Sequence, residues 1–283
     1  MLSILGQSEY TQGSELKLLE GDSDMEIEKD IIYDAANRLT TDIYYPTTNT
    51  ARGAVIDIHG GGWFRGDKSK DADLGQKFAE LGYLTFVPNY RFTPNAYYPA
   101  PLVDMDTLYQ WIKKSDYQFD HDNIAAFGSS AGGNMSVEMA IKYGIPAISW
   151  SGILDIDDWL ARHQDVVPKQ DQTQNFNGAS AEINQSVKDD SFYKWFVTNY
   201  FNGRTDQFVE ATPYHRVNQK TGPIFLANSL DEFVPNTGVL KMSDKLAANQ
   251  IVHAVRFVAG TKHAKGYMNE VFDEAALFLS KWF

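Results

Sequence analysis

The chain has 283 residues, 43% of them hydrophobic and 13% aromatic, enough for one sizeable core. A formal charge of −12 repels phosphate backbones and anionic lipid, so neither nucleic acid nor a membrane is expected as a partner. The absence of cysteine excludes disulfides, thiolate catalysis and cysteine-ligated zinc.

The opening residues Met1–Glu9 have no basic stretch, and their apolar run is too short for a secretory signal. No window approaches the roughly 18 apolar residues that a membrane span needs. A cytoplasmic location is the expectation. The first two dozen residues are polar and weakly patterned, readable as a loose arm or a short helix.

Strand-like runs follow at Met25–Tyr33 and Leu39–Tyr45, the second ended by Pro46, and together they read as an antiparallel hairpin at a sheet edge. Ala54–Ile58 is an apolar run that enters His59-Gly60-Gly61-Gly62-Trp63. Helical spacing over Lys68–Leu81 ends at Gly82, and Tyr83–Val87 is strand-like. Leu102–Trp111 reads as a helix, Asn123–Phe127 as a strand, Asn134–Tyr143 as a helix and Pro146–Trp150 as a strand. The series resumes with strand Pro223–Ala227, helix Gly238–Ala248, strand Ile251–Val258 and an amphipathic helix over Gly266–Trp282. Such alternation implies a single α/β domain over 1–283 with a mostly parallel sheet covered on both faces. About seventy residues between Trp150 and Pro223 break the rhythm. An inserted cap over about 152–215 is expected there, against the plainer reading of peripheral helices over the sheet edge.

Gly128-Ser129-Ser130-Ala131-Gly132 is a G-x-S-x-G pentapeptide between a predicted strand and a predicted helix. In that setting Ser130 is a candidate nucleophile on a tight turn, with glycines where side chains would clash. The Ala131 N–H, near a helix N-terminus, would face developing negative charge. The glycines Gly60, Gly61 and Gly62 would offer further N–H groups to the same oxyanion. Phosphate binding by this loop is not expected, because Trp63-Phe64-Arg65 follows where a phosphate loop needs Gly-Lys-Ser/Thr. His59 itself reads as structural, its ring bonding the loop backbone.

A serine nucleophile needs a base and an orienting acid, in the chain order Ser, Asp/Glu, His. Asp231 lies just past a late strand and is preferred over its neighbour Glu232. Of the six histidines, His263 follows the last strand in a loop, whereas His253 falls inside a strand. The expected triad is Ser130, Asp231 and His263. Trp63, Trp195 and Phe196 are candidates for an apolar substrate pocket.

With these residues in place, the chain resembles the hormone-sensitive-lipase-like branch of α/β-hydrolase esterases. His59–Trp63, Gly128–Gly133, Asp231–Pro235, His263, and Tyr90–Pro94 with Tyr98–Asp104 carry the resemblance. It departs at Ser129, where many relatives carry Asp, at Ala227-Asn228 in place of His-Gly, and at Ala264 in place of Gly. The resemblance implies an α/β-hydrolase fold and a carboxylesterase for short-chain acyl or aryl esters, working through an acyl-enzyme without cofactor or metal. Its expected partner is a small-molecule ester. A homodimer through an edge strand or the last helix is compatible with the sequence. The alternatives are an amide hydrolase of the formamidase type and a non-catalytic ligand-binding homologue; the intact triad argues against the latter.

Overall fold

The computed structural model describes residues 25–48, 50–173, 175, 177–186 and 188–283. The arm or short helix expected over the first two dozen residues lies outside them. β1 (Ile27–Asp34) and β2 (Leu39–Tyr44) form the expected antiparallel hairpin at one sheet edge. β3 (Ala54–Ile58), α1 (Ala72–Glu80), β4 (Leu84–Pro88), α2 (Ala100–Lys113), β5 (Ile124–Ser129), α3 (Ala131–Tyr143) and β6 (Ala147–Trp150) then alternate. After α4 (Asp157–Arg162), α5 (Asp190–Tyr200) and α6 (Phe208–Ala211) the alternation resumes with β7 (Ile224–Ser229), α7 (Thr237–Ala248), β8 (His253–Val258) and α8 (Met268–Leu279).

The eight strands form one sheet in the order β1-β2-β4-β3-β5-β6-β7-β8. β2 pairs antiparallel to β1 and β4, and the strands from β4 to β8 run parallel. This is the α/β-hydrolase fold. Successive strand residues face opposite sides, so the sheet divides two cores. Val55, Phe127, Ile148, Trp150 and Phe225 pack against Leu74 and Phe78 of α1 and Val271 and Phe278 of α8. Ile56, Ile58, Ala126 and Leu226 pack in the opposite core with α2, α3 and α7. Among the described residues no helix is long and apolar enough to cross a membrane.

Two predicted helices begin later than their patterns suggest. Lys68–Asp71 is a 3-10 turn before α1, capped by the Asp67 carboxylate, which accepts from the Ser69 N–H at 2.9 Å. Ala264–Tyr267 is a second such turn before α8. Both turns carry polar groups to the C-terminal ends of the parallel strands, where sites gather in this class of sheet. Between β6 and β7 the described residues form no strand. α5 buries Phe192, Tyr193, Phe196, Val197 and Tyr200, and Tyr200 stacks on Trp63 at 4.1 Å, so this segment shares the main core.

Arg91, after β4, meets Asp104 of α2. Its Nε donates to Oδ1 at 2.9 Å, and its backbone N–H donates to Oδ2 at 2.8 Å. Asp104 is fully buried, while the Arg91 side chain is partly exposed. Removing the cation leaves a buried carboxylate without its charge partner. Arg91→Ala is therefore expected to lower unfolding free energy by about 3 kcal/mol. Urea denaturation checks this; an unchanged midpoint would contradict it.

Candidate active site

β5 delivers the chain into Ser130, whose φ of 56° and ψ of −117° lie where L-residues are strained. The chain passes at once into α3, and the turn leaves no room beside it. A Cβ on Gly128 would lie 2.1 Å from the Gly132 carbonyl oxygen, and one on Gly132 would lie 1.8 Å from that of Ile58. The two glycines thus let β3, β5 and α3 meet under the serine. The Ser130 N–H donates to Trp150 O at 2.8 Å, which ties the turn to the end of β6. Ala131 follows as the buried first residue of α3.

His59 closes β3. Burial lowers its pKa, which favours the neutral ring, and Nδ1 contacts Gly60 O at 2.7 Å. The ring stacks on Tyr90 at 4.3 Å, and the Tyr90 hydroxyl donates to His59 O at 2.9 Å. This agrees with the structural reading of His59. Gly61 and Gly62 have φ of 120° and 59°, and both line the cavity together with Gly60. A Cβ on Gly61 would lie 2.0 Å from Arg65 O.

The acid is where structure and expectation part. The carboxylate against His263 Nδ1 is that of Glu232, through Oε2. Glu232 is buried, whereas Asp231 is exposed. Backbone pairing explains the difference. β7 runs two residues beyond the predicted Ala227, and its register with β8 continues past it, with Leu230 N–H bonding Val258 O and Asp231 N–H bonding Gly260 O. That pairing carries Leu230 and Asp231 outward, and the chain turns Glu232 back into the core. Glu232 Oε1 accepts from the Ser229 N–H at 2.8 Å and the Ser151 hydroxyl at 2.9 Å. Ser151, at φ 50°, also accepts from the Ala264 N–H at 2.9 Å and lies 2.7 Å from the Tyr267 hydroxyl. Burial, and then the Glu232 charge, raise the Tyr267 pKa well above the ordinary phenol value. No motif marks Ser151 or Tyr267 in the sequence.

Ser130 and His263 line one cavity of about 320 Å³. Phe64, Phe192, Phe196 and Phe233 form its aromatic wall, and Lys70, Asn177 and Ser180 are among its polar groups. Phe233 lies 4.5 Å from the His263 ring, centroid to centroid. Of the pocket candidates, Phe196 is in place and two are not. Trp63 is fully buried against Tyr200, because positive φ at Gly62 and at Trp63 itself turns it into the core. Trp195 packs edge-on against Phe64 at 4.9 Å and is not among the lining residues. Phe64 and Phe192 take the places expected of these tryptophans.

Along the cavity lining, the buried Lys265 ammonium donates to Lys70 O at 2.7 Å and pairs with Asp71 at 3.3 Å and with Asp73. Burial opposes its charge, but Asp71, Asp73 and Asp57 outweigh that and hold its pKa above the ordinary lysine value. Asp57, inside β3, has its own pKa pushed well above the carboxylate range by burial and then by Asp71.

The family model described as BD-FAE matches residues 41–246. A probable carboxylic ester hydrolase, LipM, of Mycobacterium tuberculosis is 36% identical over 95 residues, 32% of this chain and 22% of that protein. A versiconal hemiacetal acetate esterase of Dothistroma septosporum is 38% identical over 91 residues, 31% of this chain and 28% of that one. The chain thus spans less than a third of the length of these curated relatives. Among solved structures, a truncated carbohydrate esterase from gut microbiota superposes with a TM-score of 0.71 at 16% identity, covering 91% of this chain and 96% of that one. At that identity the likeness is one of fold.

The elbow's packing sets a stability prediction. Gly132→Ala forces a methyl group into a backbone carbonyl and is expected to cost about 3 kcal/mol or more, the upper end for overpacking. Thermal unfolding reads the loss. A variant that melts with wild type would contradict the contact between α3 and β3.

Proposed function

The chain belongs to the BD-FAE family, and from that premise we propose that it is a serine carboxylesterase acting on small acyl or aryl esters. One observation carries the reading. Ser130, raised on a strained strand-to-helix turn, and His263, backed by the buried Glu232, line the same cavity. In this reading Glu232 takes the role first expected of Asp231.

His263 removes the Ser130 proton as Oγ attacks the ester carbonyl. N–H groups of Gly60, Gly61, Gly62 and Ala131 are the donors assigned to the tetrahedral oxyanion. The intermediate collapses, the carbon–oxygen bond to the alcohol breaks, and His263 returns the proton to the leaving oxygen. Water, deprotonated by His263, then attacks the acyl-enzyme; the acyl–Oγ bond breaks, the acid leaves, and His263 returns the proton to Ser130 Oγ. Glu232 holds the imidazole in one tautomer and offsets its charge while it carries the proton. The segment between β6 and β7 serves as the cap, since Phe192, Phe196 and Ile183 from it line the cavity. A cavity of about 320 Å³ is at the small end for ligand sites and suits a short acyl or single aryl group.

Hydrolysis of p-nitrophenyl acetate, butyrate, octanoate and palmitate tests this. Wild type is expected to favour the two short esters. Ser130→Ala and His263→Ala should each lose more than about a thousandfold in kcat, and Glu232→Gln about a hundredfold or more. Asp231→Asn should stay within about threefold of wild type, as an exposed substitution away from the reacting atoms does. Activity that survives Ser130→Ala would remove the nucleophile assignment. A loss in Asp231→Asn as deep as that in Glu232→Gln would return the acid's role to Asp231.

A further inference from the structure

We propose that Gln185, on the segment between β6 and β7, is a positioning residue that clamps the backbone of His263 and so couples the cap to the base. The proposal rests on the assignment of Ser130 and His263 made above. The Gln185 side-chain amide pairs with both main-chain polar groups of His263. Its Oε1 accepts from the His263 N–H at 2.9 Å, and its Nε2 donates to His263 O at 3.0 Å. A primary amide offers one acceptor and two donors, so it can imitate the partner that a strand would provide. The same Nε2 also bonds Ile183 O at 2.8 Å, and the Gln185 backbone carbonyl accepts from the Thr261 hydroxyl at 3.0 Å.

The His263 carbonyl also accepts from the Gly266 N–H at 2.8 Å, whereas its N–H bonds the Gln185 side chain. His263 lies beyond the end of β8, followed by Ala264 at φ 47°. Its ring is held by Glu232 and Phe233, but the ring's place also depends on where the backbone sits. Space has been left for the clamp. A Cβ on Gly266 would lie 1.8 Å from Gln185 Oε1. Residue 266 has no positive φ of its own to demand glycine.

The clamp is one end of a strap across the cavity. At the other end, Lys70 Nζ donates to Asn177 O at 3.1 Å and Gly178 O at 2.8 Å, and the Ser180 hydroxyl donates to Lys70 O at 3.1 Å. Between these ends, Ser180, Ile183 and Asn184 face the cavity. A substrate that presses on Asn184, or on Ile183 just before it, therefore pushes on Gln185, which holds the backbone of the base.

The test compares wild type, Gln185→Met, Gly266→Ala and the double variant. Gln185→Met keeps the length of the side chain and loses both bonds to His263, together with the one to Ile183 O. Gly266→Ala leaves Gln185 in the chain and displaces only the flexible end of its side chain. Two rates are read: labelling of Ser130 by a fluorophosphonate, and steady-state hydrolysis of p-nitrophenyl butyrate. Each single variant is expected to lower the labelling rate and kcat about tenfold to a hundredfold, the scale for misplacing a catalytic group by about an ångström. KM should stay within about threefold, because an interaction made for the transition state leaves substrate binding in place. The double variant should be no slower than the slower single one, because both substitutions remove the same contact. Wild-type labelling rates in either single variant, a loss confined to KM, or losses that multiply in the double variant would overturn the clamp. Labelling of Ser130 in a wild type that hydrolyses no ester would sink the carboxylesterase reading, and the labelling rates would still decide the clamp. Failure of wild-type Ser130 to label would sink both.

Discussion

A buried carboxylate is costly unless each of its oxygens is answered, and the site is arranged around answering those of Glu232. Oε2 faces His263 Nδ1, and Oε1 takes the Ser229 N–H and the Ser151 hydroxyl. These requirements reach far along the chain. Ser229 is the last residue of β7, Ser151 follows β6 in a left-handed conformation, and Ala264, which bonds Ser151, opens the turn that leads to α8. One carboxylate thereby ties together the ends of two strands and the loop that carries the imidazole. Loss of any one of these partners leaves the charge under-satisfied in a low-dielectric setting, where the penalty is largest.

Much of the frame was legible because its signals are steric and periodic. The strand–helix alternation led to the parallel sheet, and the edge hairpin lies where Met25–Tyr33 and Leu39–Tyr45 suggested. The G-x-S-x-G spacing has a physical counterpart in Gly128 and Gly132, whose missing side chains are excluded by backbone carbonyls. Gly61 carries the same kind of signal, with Arg65 O in the place of its Cβ. Local sterics of this sort leave a mark on the sequence, since only glycine fits.

The misread positions depend on register and distant packing. Asp231 and Glu232 are adjacent carboxylates, and the choice between them turns on how far β7 pairs with β8. A strand boundary misplaced by two residues puts the turn in the wrong place, and of two adjacent carboxylates only one turns inward there. Trp63 beside the glycine loop looked like a pocket wall. Its partner is Tyr200, 137 positions later in α5, and nothing near Trp63 announces that stack. Gln185 is harder still. Its trace in the sequence lies 81 positions later, at Gly266, where a Cβ would meet the Gln185 side chain.

Glu232, not Asp231, is the carboxylate against the imidazole of His263. With a carboxylate at Nδ1, the neutral ring must carry its proton there and leave Nε2 free to accept. Nitrogen-15 NMR of histidine-labelled protein reads this tautomer directly, with the His263→Asn variant identifying the signal. A proton on Nδ1 is expected in wild type and in Asp231→Asn, and its loss or redistribution in Glu232→Gln. A tautomer unchanged in Glu232→Gln, or altered in Asp231→Asn alone, would contradict the role of Glu232.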